Sequence, residues 1–178
     1  MSLNRGVAAL AGLVVVGAGI VAAGAAYGAS QGKPVPNVAV VAGSHWTQIQ
    51  PLKGCYNAGK AMDQAAQAKC GIAIKAALTD EKLLPTAIVP SAGGTFGINV
   101  DQDVVGNGWL ARYSTGTLVQ HTTNAYAGPL SITQVLTTQD QSTGASTVGT
   151  NGPVLVVETD KSGNNVYGEW LFQLKVAN

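Results

Sequence analysis

Between Arg5 and Lys33 no side chain is charged: Gly6–Gly32 is a neutral run of 27 residues rich in Ala, Val, Gly and Leu. About 20 apolar residues span a bilayer, and the core of a secretory signal is about 7–15. The run predicts a single transmembrane helix over residues 1–32. The small residues Gly28, Ala29 and Ser30 also suit a cleavage site. Of these two readings, the retained anchor is the one adopted. Arg5 precedes the run without an opposing acid, so the positive-inside rule expects the N-terminus in the cytoplasm and the following domain outside the plasma membrane. Tyr27 falls where an interfacial aromatic is expected.

At 100° per residue, Ala8, Gly12, Gly19, Ala23 and Ala26 share an arc of about 60°. A stripe of small residues lets a second helix backbone approach closely, so these five residues are the expected packing face toward a membrane partner. Gly24 and Gly28 form a further small pair on the opposite side.

Lys33-Pro34-Val35-Pro36 reads as a stiff, extended linker over residues 33–37, because proline fixes its own φ and restricts the residue before it. Residues 38–178 are long enough for one core. The whole chain has 10 basic and 9 acidic side chains, a net charge of +1, and charged residues make up only 11% of it. That balance gives no electrostatic pull toward nucleic acid and argues against a disordered, charged tail.

Strand patterns recur in the second part. Val38–Ala42 is a near-continuous apolar run; Phe96, Ile98 and Val100 alternate with Thr95, Gly97 and Asn99; Trp109–Tyr113 alternates likewise. Leu130–Thr138 and Val154–Thr159 are rich in β-branched residues. In the last segment Trp170, Phe172, Leu174 and Val176 predict a core face, with Glu169, Gln173 and Lys175 on the other side facing water. Trp46 and Trp109 also read as core residues. The fold class predicted is mainly β: an N-terminal transmembrane helix, then an immunoglobulin-like antiparallel β-sandwich with a short helical insert. That insert, Asn57–Lys69 with Asn57 as cap, lies inside residues 55–70, between the chain's two cysteines. In an oxidising compartment Cys55 and Cys70 predict a structural disulfide.

Patterns for catalysis are sparse. His45 and His121 lack the spacing and third ligand of a metal site. Asp101-x-Asp103 begins like a calcium loop, but Val105 and Arg112 stand where oxygen ligands are needed. No Gly-x-Ser-x-Gly, phosphate loop or haem-attachment motif occurs. Glu158 and Asp160 read as a solvated face leading to a turn. No enzyme, cofactor or metal is expected.

The order of features is nonetheless distinctive. Pro36-Asn37-Val38-Ala39-Val40-Val41-Ala42-Gly43 leads to the cysteine pair, then to Phe96–Val100, Asn107-Gly108-Trp109-Leu110, Gly128-Pro129-Leu130, Pro153–Glu158 and a closing Trp170-x-Phe172. Over most of residues 35–176 this resembles an uncharacterised family of actinobacterial exported single-span proteins, of the kind found as accessory subunits on the outer face of the cytochrome bc–cytochrome oxidase supercomplex. The resemblance implies a non-catalytic scaffold subunit whose partners are an integral membrane complex and the lipid bilayer, with no catalytic residues to carry over. Two other readings stay open: a tethered module binding a lipid, peptide or cell-wall fragment, and a self-assembling surface protein.

Overall fold

The computed structural model describes residues 34–139 and 144–177. The expected membrane span and its packing face, Ala8, Gly12, Gly19, Ala23 and Ala26, lie outside these residues. Among the described residues no helix is long and apolar enough to cross a membrane.

The chain runs β1 (Val38–Ala42), β2 (His45–Ile49), α1 (Gln64–Thr79), a 3-10 turn (Glu81–Leu83), β3 (Thr86–Val89) and β4 (Thr95–Val100). It continues through α2 (Gln102–Asn107), β5 (Trp109–Tyr113), β6 (Gly116–Thr122), β7 (Tyr126–Ser131), α3 (Ile132–Leu136), β8 (Thr137–Gln139), β9 (Ser146–Val148), β10 (Asn151–Thr159) and β11 (Val166–Val176). A four-stranded sheet has the order β2-β1-β4-β7 and a five-stranded sheet the order β3-β11-β10-β5-β6, while β8 and β9 form a separate hairpin. Pairing is antiparallel except between β3 and β11, which run parallel. The sheet is therefore mixed at that edge, unlike the antiparallel arrangement expected.

Period-two alternation builds the centre. Val38, Val40 and Ala42 of β1 and Phe96, Ile98 and Val100 of β4 share one core with Trp109, Val154, Val156, Trp170, Phe172 and Leu174 of the five-stranded sheet. The two sheets thus pack as a sandwich, and each fully buried large side chain contributes about 1.5–3 kcal/mol. Trp170 is also satisfied in its polar part, with Nε1 donating to the Pro36 carbonyl at 3.1 Å. Pro36 is buried, so the end of the expected linker belongs to the domain.

Three local expectations are corrected. The insert helix starts later than Asn57: Asp63 caps it by accepting from the Ala66 amide at 2.7 Å, and it continues to Thr79. Residues 57–62 are instead laid along β11 by the Asn57 amide on the Tyr167 carbonyl and the Met62 amide on Val166. The strand expected over Leu130–Thr138 is broken by α3, where buried Ile132, Val135 and Leu136 follow a spacing of three and four instead of two. The second face of β11 is only partly in water: Leu171 is 3% and Gln173 6% exposed, because Ala77 of α1 and Leu84 pack on it with the support of Ile74, Leu52 and Leu155.

Candidate functional site

On the outer face of the five-stranded sheet one row of side chains crosses three strands and is apolar on two of them. Arg112 of β5 is opposite Leu155 of β10, and Leu155 is opposite Leu171 of β11. Helix α1 rests on this face through a narrow seam, Cys70, Ile74 and Ala77, spaced by four and three residues, and so covers only part of it. Beside the seam lies a cleft of about 230 Å³, walled by Ile74 and Leu78 of the helix and by Pro153, Leu155 and Leu171 of the sheet, with Arg112 at its rim. The Arg112 side chain is exposed and has no hydrogen-bond or ion-pair partner among the described residues. Tyr113 closes one corner, its hydroxyl accepting from Gln134 Nε2 at 3.2 Å.

The helix is fixed by the expected disulfide. Cys55 and Cys70 are bonded, with 4.7 Å between their Cα atoms, and both are fully buried. Glu169 lies against this bond: its amide donates to the Cys55 carbonyl at 2.8 Å, and Oε2 is 2.8 Å from Cys70 Sγ. Burial pushes the Glu169 carboxyl up, and the neutral acid can turn its O–H toward the sulfur. The two sulfurs and the carboxylate lie within 4.8 Å of one another. A metal would need thiolates, and a disulfide has none.

A second buried acid overturns the expectation of a solvated Glu158. This residue is 2% exposed. Its Oε1 accepts from Asn107 Nδ2 at 2.6 Å, and Oε2 has no partner among the described residues. Burial raises its pKa, the Asn107 hydrogen bond opposes that, and the charge of Asp103 adds to the rise. The same two acids, after burial, hold the Tyr56 phenol up. Asp160 behaves as expected of a turn residue, accepting from Ser162 Oγ, Asn164 N and Asn165 Nδ2, which brings it down to about 2.

The remaining residues singled out from the sequence are not brought together. His45 is exposed on β2 and His121 on β6, edge strands of different sheets. Asp101 accepts from the Asn37 amide at 2.7 Å, and Asp103 stands exposed in the first turn of α2. Trp109 is core, as expected, with Nε1 on the Asn124 carbonyl at 2.8 Å. Trp46 is not: it is 60% exposed on β2. Among the described residues strand β2 ends its sheet, and it carries no formally charged side chain and no proline, the usual protections of an open edge. The β7 edge, in contrast, carries Pro129 and turns the Tyr126 ring over Gly97, where any side chain would collide.

Period-two alternation on the inner face of each strand carries no sign of the cleft. Leu155 and Val157 in β10, with Leu171 in β11, make the second face apolar as well, and a strand apolar on both faces signals a covering element. Compared with family models, curated proteins and solved structures, the chain gives no match.

Proposed function

We propose that this chain is a non-catalytic accessory subunit, anchored by residues 6–32, whose outer domain docks on a larger integral membrane complex through the β2 edge. The observation that carries the reading is the uncharged strand β2, which ends its sheet among the described residues and bears a 60% exposed Trp46. Such an edge offers backbone donors and acceptors in a row for an added strand, and an exposed tryptophan supplies the apolar anchor typical of interface centres. The charge-poor composition suits a neutral docking surface. The nine strands in sheets of four and five fit an immunoglobulin-like sandwich extended by a parallel β3. The family resemblance points to the respiratory bc–oxidase supercomplex as the partner, with a role in assembly or stability on its outer face.

The test is purification through a C-terminal tag in mild detergent, followed by a visible absorption spectrum and identification of the proteins recovered. Haem-containing membrane subunits in stoichiometric amounts are expected. Recovery of the chain alone, or of a polymer of itself, would contradict the assignment.

A further inference from the structure

We propose that the cleft between α1 and the five-stranded sheet binds a single-chain anionic amphiphile, with the alkyl chain along Leu171, Leu155, Ile74 and Leu78 and the acidic head on Arg112. This is a separate capacity from docking through β2 and uses another face of the domain.

The shape of the site selects the chain. The row Leu171–Leu155–Arg112 crosses three adjacent strands, so its ends are about 10 Å apart, two strand spacings. Its Leu171 end is closed beneath Ala77 and Ile74 of the helix, and its Arg112 end is open. A volume of about 230 Å³ lies below the roughly 300–1,000 Å³ of sites for drug-sized ligands, which favours one narrow chain over a fused ring system. A peptide is disfavoured for another reason. Its backbone N–H and C=O groups would be buried against leucine, isoleucine and proline without partners.

The charge of the site selects the head group. Among the described residues Arg112 is the only charged one lining the cleft, and it has no counter-ion there. A guanidinium pairs in bidentate fashion with carboxylate or phosphate and gains little from an alcohol. A fatty carboxylate and a phosphate monoester share this chemistry, and the site accepts either source. The helix wall is held in place by the buried Cys55–Cys70 bond, so the cleft exists before the ligand arrives.

The test uses the full chain in nanodiscs of phosphatidylcholine alone, with isoleucine and leucine methyl groups labelled for NMR. Decanoate, decyl phosphate, decanol and inorganic phosphate are titrated in turn, with empty discs as the background. Saturable shifts of Ile74 and Leu78 methyls with decanoate or decyl phosphate are expected, and the tighter of the two identifies the head group. Decanol should bind about tenfold more weakly, the scale of one lost charge-assisted hydrogen bond, and inorganic phosphate should leave the methyls unmoved. Arg112→Gln, an exposed substitution, should cost the anions about tenfold and leave decanol unaffected. Leu78→Ser should weaken every chain. Methyl groups that no chain shifts, decanol binding as tightly as decanoate, or anion binding unchanged in Arg112→Gln would each overturn the proposal.

Discussion

Trp170 and Trp46 occupy strands of similar alternating pattern and have opposite fates. Trp170 stands on β11, with a neighbouring strand on each side and the second sheet across the core; it is fully buried and its indole N–H is bonded. Trp46 stands on β2, an edge strand of the smaller sheet, and is 60% exposed. The side chain is the same, so the difference comes from where topology puts the strand. A central strand turns an aromatic into stability, and an edge strand leaves it available to a partner.

The contrast can be broken first at Trp170. Trp170→Ala should cost about 3–5 kcal/mol in chemical denaturation, the range for large aromatic truncations in cores. It also frees the Pro36 carbonyl, so the start of the domain should fray in hydrogen exchange. A loss under about 1 kcal/mol would show that the inner face is not the main store of stability.

Next is the bond that holds α1. Replacing Cys55 and Cys70 by serine should cost about 3 kcal/mol, the chain-entropy value for a loop of 15 residues, with exchange in α1 rising before that in β10 and β11. Uniform loosening of all three elements would remove the separation between helix and sheet. Glu158 sharpens the account without a change of volume. Its pKa is raised in the folded state, so its stabilising contribution is complete below the unfolded value of about 4.3 and is lost as pH rises through the raised value. Glu158→Gln should therefore gain on the wild type as pH increases from about 4 to 8. Parallel stability curves would rule out a buried titrating acid.

The smallest effect on stability belongs to Trp46. Trp46→Ser should change it by no more than about 0.5 kcal/mol, as for exposed positions, while abolishing recovery of the membrane partner. A large destabilisation would mean that Trp46 belongs to the folding core after all.

Which parts were legible follows from the same distinction. Strand β1, the inner faces of β4, β5 and β11, and the disulfide were readable because period-two alternation and two lone cysteines depend on local spacing alone. The parallel β3–β11 pair was not, since nothing within Thr86–Val89 names its neighbour. The start of α1 was legible in principle: Asp63 precedes the six helix formers Gln64–Lys69, whereas Gly59 lies inside the expected Asn57–Lys69 helix and has φ of +77°. Glu158 and Trp46 exchanged their expected places. Composition ranks acids outside and tryptophan inside, and the packing of α2 over β10 and the edge position of β2 decide otherwise.

The most direct test of docking through β2 is photo-crosslinking in intact cells, with a photoreactive residue at position 46 and a control at exposed Lys161. The account predicts a specific crosslink from position 46 to one integral membrane subunit and none from position 161. The absence of a crosslink at position 46, or the same products from both positions, would contradict it.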